Sequence, residues 1–169
     1  DGIRDRDVTG VQTCALPIST ESERIKLTNS ANADLMISLN CDTYKNDKAH
    51  GVATYSYGSD AHGVHSVVGD RFASLVQREI CARTDLQNCG THSKTWDLLR
   101  LVQAPAVRID LGYLSNSGDA KRYLRTEFRD LIAESLVIAI QRLYLSAEDD
   151  AKTGTLRISD LKRAGLRIN

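Results

Sequence analysis

The run Pro105-Ala106-Val107-Arg108-Ile109-Asp110-Leu111-Gly112-Tyr113-Leu114-Ser115-Asn116 places one carboxylate at the end of an apolar strand pattern, just before a polar turn. Val107, Ile109 and Leu111 alternate onto one face, and Ala106, Arg108, Asp110 and Gly112 onto the other. Pro105 suits the first position of a strand, where its missing N–H costs no ladder bond. Gly112, Ser115, Asn116 and Gly118 supply turn chemistry immediately afterwards. In open α/β sheets, ligands bind beyond the carboxyl ends of the strands, so Asp110 stands where chemistry is expected. Residues two apart on a strand are about 6.6–7 Å apart, within reach of an arginine, so the spacing predicts that Arg108 pairs with Asp110. The alternatives are a core strand with one idle exit-loop aspartate, and a solvated arginine at a sheet edge.

Other chemistry-bearing residues are more scattered. His62 and His65 are three apart and could share a metal with His50 or a thiol, although such histidines are commonly solvated. Cys81 and Cys89 could approach each other, but spacing alone does not bring their Cα atoms within bridging range. With Cys41, they suggest neither a disulfide scaffold nor a zinc ribbon. Idle thiols fit a reducing compartment. Tyr55 and Tyr57 could line a glycan groove or simply pack.

The positioning elements follow from periodicity. Thr20 and Glu23 form a capping box that opens a helix over 21–32. Asp34 to Cys41 reads as a strand, with Leu35, Ile37 and Leu39 opposite Met36, Ser38 and Asn40. Gly51 to Tyr57 reads as a second strand, and 58–63 as turn. Val64 to Arg83 carries a helical stripe of Val67, Val68, Phe72, Leu75, Val76 and Ile80. A loop over 84–94, a short strand over 96–101, the Pro105 strand and a long helix over 128–145 complete the pattern. That helix is built on Leu131, Ile132, Leu136, Ile138, Ala139, Leu143 and Tyr144. Alternating strands and helices predict a three-layer α/β domain, a mixed sheet with helices on both faces.

The chain has 169 residues, 41% hydrophobic and 26% charged, with zero formal net charge. That is enough for one domain with a real core. No global field attracts nucleic acid, and no apolar run is long enough to span a membrane. Residues 1–18 show no periodicity and resemble a translated sequencing adapter, so they are set aside as non-native, the alternative being a disordered native arm. On that reading the natural N-terminus is missing, with any signal or upstream domain. The domain then covers 19–146, and 147–169 is a charged tail with at most a short helix near Ser159 to Ala164.

Several motifs in register carry a resemblance. Arg24, Thr28-Asn29, Ala33-Asp34 and Ile37-Ser38-Leu39-Asn40-Cys41-Asp42 match, with three-residue gaps between the first three, a pattern that ends Ile-Ser-Ile-His-Ala-Asn. Gly51-Val52-Ala53-Thr54 is similar to Gly-Val-Glu-Thr, and Leu99-Arg100 to the Leu-Arg before the last strand. Pro105 through Asn116 is similar to Pro-Ala-Val-x-Val-Glu-Val-Gly-Phe-Leu-Ser-Asn. The pattern is that of the zinc-dependent N-acetylmuramoyl-L-alanine amidases of the bacterial cell wall. The resemblance implies a zinc ion on two His and a Glu, which activates water toward the amide between muramic acid and L-Ala, with a second Glu as general base.

This chain departs from that pattern. Asn40 stands at a ligand His position, and a carboxamide is a poor zinc ligand. Asp110 stands at the general-base Glu, one methylene shorter. His92 matches a frequent Lys, and Arg108 an apolar residue. The first His and the ligand Glu belong upstream, where the adapter-like segment lies, so the domain is expected to be truncated at its first strand and short of core. Zinc is therefore expected from the family but not on this chain. Asp42, His92, Arg100, Arg108 and Asn116 are the cleft candidates, and Arg108 is expected to balance charge in the vacated metal site. The combination resembles an actinobacterial branch with degenerate ligands, whose Trp96-to-Arg100 segment and extended tail it shares. That branch implies regulation of wall synthesis, with peptidoglycan or its precursors, or a synthesis protein, as partner. Location would then be the cytoplasm, against the cell wall for the family at large. The alternative is an active zinc amidase in its full-length form.

Overall fold

In a computed structural model the described residues are 20–145. Residues 1–18 and 147–169, with the helix expected near Ser159 to Ala164, lie outside them. The capping box closes as expected: Thr20 accepts from the Glu23 amide while the Glu23 carboxylate accepts from the Thr20 amide, and α1 runs Glu21–Ser30. It stops at Asn32, whose φ of 48° is one that asparagine tolerates.

Strand β1 (Met36–Asp42) pairs in parallel with β5 (Ala106–Tyr113). On its other side β5 pairs antiparallel with β2 (Val52–Ser59), which in turn pairs in parallel with β4 (Asn88–Lys94). A two-residue β3 (Val64–His65) folds back on the end of β2. Helices α2 (Val67–Arg83) and α5 (Thr126–Tyr144) cover one face. Helices α1 and α3 (Asp97–Arg100) cover the other, with Ile25, Leu98 and Leu99 packed on Met36 and Ala106. The three-layer mixed α/β architecture is as expected.

Four local expectations need correction. Residues 88–94 form an edge strand, not a loop; its side chains are polar and mostly exposed, so no apolar alternation marks it. The segment after Trp96 is a helical turn, not a strand: Leu98 and Leu99 are adjacent and both buried, which a strand would place on opposite faces. The helix expected from Val64 starts at Val67 under the Ser66 cap, leaving Val67 and Val68 outside the core. Residues 117–124, given no element above beyond the turn chemistry of Gly118, form α4 (Ser117–Leu124), capped by the Asn116 side chain.

Two buried ionic clusters hold the layers. Glu79 on α2, fully buried, meets Arg142 of α5 at 2.9 Å and also pairs with Arg83. Burial holds the Arg142 guanidinium below its ordinary range. The second cluster is Asp119, 1% exposed. Its Oδ2 accepts from the Gly51 and Tyr113 amides, each at 3.0 Å, and its Oδ1 from Arg122 at 3.2 Å. One carboxylate thus joins the start of β2, the end of β5 and α4. Gly112 makes room for it: with φ 90°, an added Cβ would lie 2.6 Å from Asp119 Oδ2.

Asp119→Ala should therefore lower stability by about 3 kcal/mol, since two buried amides and a guanidinium lose their acceptor. Asp119→Asn, which keeps one oxygen, should lose about half as much in urea denaturation. Equal losses in the two variants would mean that charge, not backbone satisfaction, dominates.

Candidate functional site

The alternation expected in β5 is present. Val107, Ile109 and Leu111 enter the α2/α5 core, while Arg108 and Asp110 face the α1/α3 side. Strand register builds a row across that face, His92 on β4, Tyr55 on β2, Arg108 on β5 and Ser38 on β1. One step along, Asp110 lies beside Asn40 on β1 and Ala53 on β2. The β1–β5 register then slips, from Asn40 opposite Asp110 to Asp42 opposite Tyr113, so the extra residue belongs to β5 near Gly112. Bulges of this kind re-aim side chains at the ends of strands.

A cavity of about 350 Å³ opens over this row, lined by Asp42, Tyr55, His92, Lys94, Trp96, Arg108 and Asp110. Asp110 is 5% exposed. Arg108 donates from Nε to Asp110 Oδ1 at 2.7 Å, the pairing expected from their spacing. The guanidinium also lies over the Trp96 ring, 5.0 Å from its centre, and Lys94 Nζ lies 5.7 Å from the same centre. Tyr55 stacks at a tilt on Trp96 (4.8 Å) and on His92 (5.5 Å). Burial first, then the nearby Asp110 carboxylate and a hydrogen bond to it, push the Tyr55 hydroxyl up to about 12, with Arg108 opposing. Tyr55 is therefore a neutral donor at any physiological pH.

Of the residues singled out from sequence, Asp42, His92, Arg108 and Asp110 meet in this cavity. Asn40 adjoins Asp110 in register, but its amide nitrogen donates to the Ser38 carbonyl and hydroxyl, both at 3.1 Å. Arg100 is outside the lining and pairs with Asp97 at 2.7 Å. Asn116 is outside it too: it caps α4 and donates to the Asp47 carbonyl. Tyr55, considered only for a groove, proves central, and Lys94 and Trp96 were not picked out as cleft residues. The signal for Lys94 was its place two residues beyond His92, legible only once 88–94 is read as a strand.

Zinc requires converging nitrogen, sulfur or carboxylate donors. Among the described residues no group of three or more His, Cys, Asp or Glu side chains is placed to hold an ion. Asp110 is taken by Arg108 and Asn40 is turned to Ser38, so these residues do not fit the family's metal. His50 contacts the Lys48 carbonyl, and His62 and His65 are exposed on the far end of β2. Cys41, Cys81 and Cys89 are free thiols, and burial raises each above the ordinary thiol range.

A family model described as N-acetylmuramoyl-L-alanine amidase matches residues 3–142. The chain belongs to the N-acetylmuramoyl-L-alanine amidase family. It is 43% identical over 142 residues to the N-acetylmuramoyl-L-alanine amidase CwlM of Mycobacterium tuberculosis, covering 84% of this chain and 35% of that protein. It is 27% identical over 130 residues to the germination-specific amidase of Bacillus subtilis, covering 75% and 52%. The chain thus spans about a third to a half of these relatives. Among solved structures, an amidase from Clostridium difficile 630 superposes with a TM-score of 0.66 at 22% identity, covering 73% and 64%. The catalytic domain of CwlV from Paenibacillus polymyxa gives 0.65 at 19%, covering 75% and 66%. These two establish the amidase fold, and the 43% relative places the chain beside an actinobacterial member of the family.

Two measurements probe the site. In a double-mutant cycle, Arg108→Met and Asp110→Asn should couple by about 1–2 kcal/mol, with the Arg108 variant the less stable single because it strands a buried carboxylate. Because Tyr55 holds its proton up to about 12, the unfolded chain binds fewer protons than the folded one from about pH 10 upward, and stability falls with rising pH there. Tyr55→Phe should flatten that part of the fall in alkaline urea titrations; an unchanged slope would place Tyr55 in an ordinary environment.

Proposed function

We propose that this chain is a ligand-depleted, non-catalytic copy of the amidase domain, acting in peptidoglycan metabolism as a binding or regulatory module. Its partner is peptidoglycan or its precursors, or a protein of wall synthesis. The family reaction is hydrolysis of the amide between N-acetylmuramic acid and L-Ala. The observation that carries the reading is the 2.7 Å contact between Arg108 and Asp110. A general base must reach the water it activates, and one oxygen of this carboxylate is already engaged by Arg108. The same guanidinium supplies beside Asp110 the positive charge that an ion would otherwise bring. Asn40, at the ligand-histidine position, offers a neutral oxygen where imidazole is needed.

The second reading, an active zinc amidase in the full-length protein, is favoured by the name of the 43% relative and by the carboxylate that Asp110 retains. Zinc content and peptide release separate the two. The full-length protein equilibrated with zinc should retain well under about one ion per chain after dialysis and release no L-Ala-linked peptide from muropeptides. Stoichiometric zinc together with released peptide overturns the proposal.

A further inference from the structure

At the Trp96 end of the cavity, Lys94 and the terminal nitrogens of Arg108 are donors that the site described above does not use. Arg108 engages Asp110 through Nε alone, and its two terminal nitrogens have no hydrogen-bond partner among the described residues. Lys94 has no ion pair among them either. Both cations lie against the ring of Trp96, a residue that is 38% exposed. Of the two carboxylates in the lining, Asp42 is set apart from this end and Asp110 is bonded to Arg108. Asp42, on β1, is three strand spacings from β4, roughly 14 Å across the sheet. Asp110, between them, is already neutralised by Arg108. His92 and the un-ionised Tyr55 add polar groups beside the ring.

We propose that Lys94, the terminal nitrogens of Arg108 and the Trp96 ring form an oxyanion site, taking a carboxylate or phosphate carried next to a sugar ring. The guanidinium presents a planar pair of donors suited to two oxygens of one anionic group, and Lys94 a second charge on a flexible stem. The part of the indole left uncovered by these cations and Tyr55 offers an apolar surface to the adjoining ring. A cavity of about 350 Å³ has room for a monosaccharide with its acidic substituent. This rests on reading the cleft as a ligand site and not a metal centre, and it names the ligand's chemistry. The oxyanion could come from the acidic stem peptide of a muropeptide or from the phosphate of a sugar-phosphate precursor.

Trp96 is the only tryptophan, so its emission reports occupancy directly in the full chain. The probes are N-acetylmuramoyl-L-alanyl-D-glutamate, the same compound with its carboxyl groups amidated, N-acetylglucosamine 1-phosphate and inorganic phosphate. The acid or the sugar phosphate should give a saturable change, with the amidated compound at least about tenfold weaker than the acid if the carboxylate is the source. Lys94→Met, on an exposed edge strand, should weaken binding about tenfold and reduce its salt dependence. Arg100→Met, whose guanidinium lies outside the cavity, should change nothing. Saturation by the acid alone assigns the stem peptide, and by the sugar phosphate alone the precursor; either supports the site. Equal binding of acid and amide with Lys94→Met silent, or no response to any probe at about 10 mM, overturns it. Zinc-dependent peptide release alongside charge-sensitive binding would overturn the non-catalytic reading and leave this one standing.

Discussion

Strand β5 is hydrogen-bonded along both edges, to β1 and to β2, and nothing in it can turn over without breaking two ladders. That fixes its side-chain alternation. Val107, Ile109 and Leu111 must enter the core, so Arg108 and Asp110 must share the opposite face. Shifting the register by one residue would bury the ion pair among Phe72, Val76 and Ile132 and expose three branched aliphatics. The apolar requirement of one face therefore dictates the chemistry of the other. The cavity inherits this: its floor is a row of cross-strand neighbours whose positions are set by backbone pairing, with Trp96 laid over them from the turn that follows β4.

A nearly buried carboxylate needs a compensating cation or several donors. Among the described residues this need is met three times, each time with arginine: Arg108 on Asp110, Arg122 on Asp119, and Arg142 with Arg83 on Glu79. The last two tie helices to each other or to the sheet. Arg108 differs, because its partner lines an open cavity and its own side chain is 29% exposed. There the cation satisfies Asp110 while remaining within reach of a ligand. In this fold the charge balance of the cleft is set by a side chain of the same strand, and the donor set for an ion is not assembled among the described residues.

Much of this was legible because apolar periodicity is a strong signal. The helices over α1, α2 and α5, the strands β1, β2 and β5, and the Arg108–Asp110 contact all follow from spacing. What was not legible had a common cause. Strand β4 is polar throughout, because it is an edge whose side chains face solvent and the cleft, so only its partner β2 reveals it. Helix α4 has few apolar residues and is held by the Asn116 cap and Asp119, interactions that resemble turn chemistry in a linear reading. Arg142 and Glu79 look like surface charges until the α2–α5 packing shows them fully buried. Lys94 and Trp96 joined the site only through pairing over long range. Local patterns gave the scaffold, and tertiary pairing gave the cleft.

The same distinction governs what the motif from Gly112 to Asn116 can say about activity. Each of its polar or special residues has a mechanical task. Gly112 leaves the space occupied by the Asp119 carboxylate, Ser115 accepts from the Tyr44 amide, and Asn116 caps α4 while holding the Asp47 carbonyl. Removing any of these would loosen the junction of β5, α4 and the 43–50 loop, whether or not a bond is ever cut nearby. These residues are needed by the fold alone. Asn40 donates to Ser38 and Asp110 accepts from Arg108, each within its own strand. The integrity of the motif from Gly112 to Asn116 therefore reports on the fold and does not by itself bear on whether a bond is cut beside it.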